Sequence, residues 1–294
     1  MKKKFSTKYG SVYNASIEDF LESEQAKKLE GKVQLIFTSP PFPLLSPKKY
    51  GNKVGEEYLN WIAQLSPKFK KLLKPNGSLV IEIGNSWDKG VPTMSTLPLE
   101  TLMAVGKVGD LKICQQMVWH NTAKLPGPAT WVNIKRERIT DSFTHIWWYS
   151  PSEHPKASNR RVLQPYGIRM LNLLQTQKFN SGQRASGHKI SEKGFLKRNK
   201  GAIPTSAILM ANTGIDANYR NWCNSHGIKM HPARMPIGLA DFFIKFLTTP
   251  GDLVFDPFGG SCTTGKSAEN LKRKWICVEQ NAEYVLGAKG RFKN

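Results

Sequence analysis

Segment 33–37 is almost wholly apolar (Val33, Leu35, Ile36, Phe37) and runs straight into Thr38, Ser39, Pro40, Pro41 and Phe42, a junction that restricts the possible folds more than any other stretch of the chain. Consecutive prolines fix φ twice and remove two backbone donors, so no sheet ladder continues through them. The segment therefore reads as a buried strand that stops at Thr38. The residues after Thr38 have a chemical character. The prolines leave stiff carbonyl acceptors, Ser39 adds a side-chain acceptor and Phe42 adds a flat apolar face. Such a set suits a planar ring bearing an exocyclic amino group, with acceptors on its two N–H bonds and an aromatic ring on its face. Taken alone, the pentapeptide also reads as a strand running into a Pro-rich turn.

Other apolar segments alternate along the chain. Residues 11–13 form a short strand, and 17–29 is polar with apolar residues at helical spacing. Tyr58, Ile62, Leu65, Phe69, Leu72 and Leu73 recur at helical spacing, with Pro67 as a kink or restart, and residues 74–77 make a turn. Segments 78–83, 112–119 and 142–149 are further strands, the last patterned as an edge hairpin. Residues 151–230 break the pattern, and 181–201 reads as a loop. Beyond Pro236, Leu239, Phe242, Phe243, Phe246 and Leu247 make an amphipathic helix that ends near Pro250 and Gly251. Two more strands lie at 253–255 and 275–278. Alternation of this kind predicts an α/β fold.

The strand at 253–255 runs into Asp256, Pro257, Phe258, Gly259, Gly260 and Ser261, and the strand at 275–278 ends on Glu279. A strand, a glycine-rich turn, a helix and a second strand ending in an acid is the layout of a nucleoside-cofactor site. The glycines admit the ligand to the backbone, and the acid accepts from both ribose hydroxyls. Residues 260–267 also match GxxxxGK[ST], the phosphate loop of NTPases. No separate Asp strand for Mg²⁺ accompanies that match, and it leaves residues 39–42 without a role.

The chain carries 43 Lys and Arg against 22 Asp and Glu, a formal charge of +21. An excess of that size points to a polyanionic partner, nucleic acid first. The charge is uneven, because residues 151–230 hold thirteen Lys and Arg against three acids. The four cysteines (Cys114, Cys223, Cys262, Cys277) form no CxxC pair, the lysines after Met1 lead into no apolar signal segment, and no apolar stretch is long enough for a bilayer. A cytoplasmic protein without membrane association is expected. Cys223, His226 and His231 lack a fourth ligand, so no metal is expected.

TSPPF at 38–42 together with FDPFGGSCTTG at 255–265 resembles the class β DNA amino-methyltransferases, specifically the cytosine-N4 enzymes of type II restriction-modification systems. The similarity extends through KPNGSLVIEIG at 74–84, KLPGPATWVN at 124–133, HIWWYS at 145–150, SGH at 186–188 and HPARMP at 231–236, and is weakest within 190–230. It implies S-adenosylmethionine as cofactor and a circularly permuted Rossmann-like methyltransferase sheet with an inserted basic target-recognition region. Residues 1–150 would be the catalytic half, 151–230 the target-recognition region and 231–294 the cofactor half. The order of segments agrees, since the cofactor strand and its acid-ended successor come last and 11–13 would be the next strand. Where the family commonly places an acid near the adenine, Tyr13, Asn14, Ala15 and Ser16 stand here.

Carried over by position, the resemblance has Ser39 and the Pro40 carbonyl accept from the cytosine amino group, with Pro41 completing the motif and Phe42 stacking on the ring. Asp256, Phe258, Gly259, Gly260 and Ser261 would line the cofactor, Glu279 its ribose, and His231, Pro232 and Ala233 its methionine end. Apart from the resemblance, Lys48, Lys49 and Lys53, between Pro43 and Gly55, read as a solvated loop or one that closes on DNA, the second being favoured, and Arg160, Arg161, Arg169, Arg184, Lys189, Lys197 and Arg198 include the expected phosphate and base contacts. Trp147 and Trp148 would be hairpin core and surface. The implied reaction is direct transfer to N4 of an extruded cytosine. A carbon-5 enzyme would need a thiolate presented after proline, and no cysteine here follows one. Adenine-N6 methylation is the nearest alternative, disfavoured because Ser39 stands where those enzymes usually carry an acid; an RNA substrate and a DNA-binding NTPase are more remote. The expected partners are double-stranded DNA and a companion restriction endonuclease.

Overall fold

The computed structural model describes residues 2–42, 53–191, 194–214 and 216–292. The chain divides into two compact units, residues 1–157 with 206–294 and residues 158–205. The larger begins with β1 (Lys2–Ser6), β2 (Gly10–Asn14), α1 (Ile17–Leu21), α2 (Glu24–Lys27), β3 (Val33–Thr38), α3 (Gly55–Leu72), β4 (Leu73–Gly84), α4 (Leu97–Val108), β5 (Lys112–His120) and β6 (Phe143–Ser150). The smaller holds α5 (Ile168–Thr176) and a minimal ladder of β7 (Gly182–Gln183) and β8 (Lys189–Ile190). The larger resumes with β9 (Ala207–Leu209), α6 (Ala217–Ser225), α7 (Ile237–Leu247), β10 (Leu253–Asp256), α8 (Thr263–Asn270), β11 (Lys274–Glu279) and α9 (Ala282–Lys289).

Nine strands make one mixed sheet in the order β1-β2-β11-β10-β3-β4-β6-β5-β9. The central five, β2, β11, β10, β3 and β4, run parallel. From β10 the chain crosses by α8 to β11 on one side, and from β3 it crosses by α3 to β4 on the other. The β10/β3 boundary is therefore a topological switch point, where open α/β sheets form a crevice beyond their strand ends. One face of the sheet packs Ile81, Ile83, Trp147 and Tyr149 against Tyr58, Ile62 and Phe69 of α3. The other packs Leu35, Phe37, Val80 and Trp148 against Leu239, Phe243 and Ala268 of α7 and α8.

Local chemistry shifts several expected boundaries. Segment 17–29 is two short helices because Ser23 accepts from the Ala26 N–H and starts α2 afresh. Pro67 does not restart the pattern: α3 runs through it, and the Ala63 carbonyl that Pro67 cannot serve accepts the Ser66 hydroxyl at 2.6 Å. Residues 74–77 are an irregularity inside β4 rather than a turn, since pairing jumps from Val33↔Leu73 to Leu35↔Ser78. Segment 142–149 is no edge hairpin. β6 lies between β4 and β5, and Trp148 is core rather than surface, its indole N–H on Ser78 Oγ at 2.9 Å.

Candidate active site

The two sequence segments meet at the β3/β10 switch point. Thr38 at the end of β3 donates its hydroxyl to Asp256 Oδ1 at the end of β10, a buried 2.7 Å bond between residues 218 positions apart. The same oxygen accepts the Phe258 N–H at 3.1 Å. Burial pushes the Asp256 carboxyl up, and these donors oppose the shift. One hydrogen bond thus ties the proline junction to the glycine turn.

Beyond Asp256 the turn forms a cradle. Gly260 has φ +50°, and a Cβ there would stand 3.1 Å from the His231 ring; Gly259 is closed in by Cys277 in the same way. Glu279, at the end of β11, accepts the Gly260 N–H on Oε2 and the Asn281 N–H on Oε1, both at 2.8 Å. A carboxylate offers about four lone-pair sites, so these bonds leave capacity for a vicinal diol. Burial raises the Glu279 carboxyl, with the Asn281, Gly260 and Gln280 N–H groups opposing. His231 packs edge-on to Tyr284, its Nδ1 is buried without a partner, and burial pushes the imidazole down toward its neutral form. Pro232 and Ala233 are exposed, and Phe258 meets the Trp61 ring edge-on. Ser261 is turned away: its carbonyl and hydroxyl both receive the buried Arg291 guanidinium, which also pairs with Asp216 at 2.8 Å. The glycines, the bidentate carboxylate and the unpartnered imidazole nitrogen fit a nucleoside bearing a charged tail.

The other wall is built by β3 and β4. Ser39 and Pro41 are half-buried and Pro40 is buried. The Phe42 ring lies on Gly84, where a Cβ would stand only 2.4 Å from it. Between them is a residue that sequence reasoning missed. Glu82 is 2% exposed, and its Oε1 has no hydrogen-bond partner. Burial pushes its carboxyl up, opposed by the Ser39 and Thr144 hydroxyls and the charge of Lys124. The visible signal was a lone acid in the otherwise apolar run 79–83. At the mouth, His145 Nε2 shares a 2.9 Å bond with Asn85 Oδ1, and Asn85 donates to Asp141 at 2.7 Å.

The predicted basic residues are dispersed. Arg160 and Arg161 lie in a 3₁₀ turn, Arg169 on α5, Arg184 and Lys189 at the β7/β8 ladder, and Lys197 and Arg198 beyond it, all seven in the smaller unit. Lys48 and Lys49 fall outside the described residues. The phosphate-loop alternative finds no support in its key side chains. Lys266 sits over the Phe292 ring at 5.7 Å, and Ser267 donates to Asp241 of α7.

Known proteins resemble this chain in sequence and in fold. The model of the DNA methylase family, which covers N6 and N4 methyltransferases, matches residues 33–290. The type II methyltransferase M.PvuII of Proteus hauseri is 39% identical over 290 residues, 98% of this chain and 85% of its own length. M.BglII of Bacillus subtilis is 25% identical over 87% of this chain and 62% of its own. Among solved structures, the cytosine-N4-specific PvuII DNA methyltransferase superposes with a TM-score of 0.78 at 35% identity, covering 98% of this chain and 88% of that one. The M1.HpyAVI–SAM complex shares the fold at a TM-score of 0.58 and 21% identity, covering 97% and 100%. With a family match across most of its length and a relative this similar end to end, the chain belongs to the DNA methylase family of N6 and N4 methyltransferases.

Proposed function

We propose that this methylase transfers the methyl group of S-adenosylmethionine to N4 of a cytosine extruded from duplex DNA, as the modification enzyme of a cytoplasmic restriction-modification system. The observation that carries the proposal is the Thr38–Asp256 bond, which sets the acceptors Ser39 and Pro40 beside the glycine cradle. When bound, S-adenosylmethionine supplies an electrophilic sulfonium methyl. Glu279 holds the ribose hydroxyls, Gly259 and Gly260 give room at the backbone, and Asp256, Phe258 and His231 to Ala233 surround the rest, while Ser261, held by Arg291, supports the turn from behind. Ser39 Oγ and the Pro40 carbonyl accept the two N4–H bonds and draw the lone pair out of ring conjugation, with Phe42 stacked on the base. The proton released from N4 passes by Ser39 to the ionised Glu82 carboxylate, which burial makes a stronger base than an exposed glutamate. Reading of the target falls to the basic residues of the smaller unit, with Lys48 and Lys49 contributing charge. The sheet order, with β10 and β11 last in the chain, supports a permuted arrangement.

Ser39, neutral where adenine-N6 enzymes usually carry an acid, favours cytosine over adenine. Incubation with methyl-labelled S-adenosylmethionine and duplex DNA, followed by nucleoside chromatography, is expected to yield N4-methylcytosine; N6-methyladenine would overturn the base assignment. Gly84→Ala should displace the Phe42 ring and lower kcat/KM for DNA about 10- to 100-fold. Cofactor affinity, measured by calorimetry, should stay within about twofold; an unchanged kcat/KM would remove Phe42 from the base site.

A further inference from the structure

Between β5 and β6 the chain makes an excursion over residues 121–142. Its base is closed by the Asn121 N–H on the Ser142 carbonyl at 2.9 Å. Inside, the Asp141 N–H bonds to the Gly127 carbonyl and the Val132 N–H to the Pro128 carbonyl, both at 2.9 Å, and the Asn133 amide donates to the Pro126 carbonyl at 3.1 Å. A segment tied together this thoroughly has a set shape, yet Leu125, Ile134 and Ile139 stand 83%, 75% and 89% exposed. A rigid segment that keeps large apolar side chains in water is presenting them to something.

Position and charge identify the partner. Asp141 is bonded to Asn85, which directly follows Gly84, the seat of the Phe42 ring. At the other stem, Lys124 bears electrostatically on Glu82. The excursion therefore rises from the rim of the base pocket. Its cations are Lys124, Lys135, Arg136 and Arg138; of its two acids, Asp141 is already engaged by Asn85 and Trp87. Apolar tips among cations suit a nucleic acid, in which side chains wedge between stacked bases while cations meet the flanking phosphates.

Accepting the function proposed above, we infer that residues 121–142 are the wedge that holds the DNA open, with Leu125 and Ile139 entering the base stack where the target cytosine leaves it. Apolar contact with the neighbouring bases replaces stacking lost on extrusion. Arg136 and Arg138 hold the adjoining backbone.

The test uses the full-length enzyme and a synthetic duplex containing the site mapped by methylation of a random pool. One form of the duplex is fully paired and the other has an abasic position opposite the target. The Leu125→Ala, Ile139→Ala double variant alters only exposed side chains, so its Tm should match wild type. On the paired duplex its kcat/KM should fall about 10-fold or more. On the abasic duplex, where extrusion needs less help, it should return to within about twofold of wild type. Leu125→Met should keep the rate. Equal loss on both duplexes, or no loss on either, overturns the wedge while leaving the methyltransferase reading intact. Unchanged rates accompanied by a shift in oligomeric state would assign the apolar tips to contact between protein copies and likewise overturn it. Wild-type enzyme inert on DNA overturns the underlying reading and the wedge with it.

Discussion

Ser39→Ala is expected to lower the single-turnover methylation rate by two to three orders of magnitude, on the order of 10²–10³, while changing the dissociation constant for S-adenosylmethionine no more than about threefold. The asymmetry follows from placement. Ser39 lies one residue past Thr38, and it is Thr38, not Ser39, that bonds to Asp256 and so connects with the cofactor turn. Removing the Ser39 hydroxyl takes away an acceptor that matters only as the N4 amino group leaves conjugation, so the loss belongs in the chemical step. The Pro40 carbonyl remains, which keeps the residual rate above zero. Equal losses in rate and cofactor affinity would mean that Ser39 supports the cofactor turn instead. Thr38→Val supplies the contrast, because it cuts the link itself and should impair both measurements together.

Glu82→Gln should reduce the same rate about 100-fold and at the same time raise stability in a pH-dependent way. Because burial raises the folded-state pKa above the ordinary value of 4.5, between the two pKa values the folded protein holds a proton that the unfolded chain has released. Wild-type stability therefore falls as pH rises from about 4.5 toward the folded value, whereas glutamine carries no such liability. Thermal unfolding at pH 5 and pH 8 should show the variant's advantage widening at the higher pH. If the variant instead loses ground as pH rises, the folded-state pKa lies below the ordinary value, Glu82 is too weak a base to take the proton, and its role as acceptor after transfer must be abandoned.

How much of the fold and site was visible in the residues depended on whether a feature is local. β3 occupies residues 33–38 as expected because both of its faces are buried, so no polar face blurs its limits. Asp256, the glycines and Glu279 were legible because a close backbone approach demands glycine and a strand end demands little else. Glu82 was not: its importance arises from the register that lays Thr38 beside Ile81 and so brings Ser39 beside it, a pairing between segments more than forty residues apart. Pro67 misled because the compensating Ser66 hydroxyl is a one-residue detail. α4 escaped notice because Leu99 and Met103 are exposed while Leu102 and Val105 are buried, which leaves no clean apolar stripe. The smaller unit has few buried side chains, and without a core there is little periodicity to read.

The sheet is completed from its middle. β10 lies between β11 and β3, so the strands that fill the centre come from residues 253–279, while their neighbours β2 and β3 come from the first forty. On the ribosome β3 is made long before its partner β10, and it waits with an unpaired edge and apolar faces. On the proposed reading, a nascent chain stalled before residue 253 has Ser39, Pro40 and Phe42 but no Asp256 or Glu279, so it would hold target-base groups without a place for a methyl donor. On that reading the two halves of the site come together only when β10 and β11 have been made.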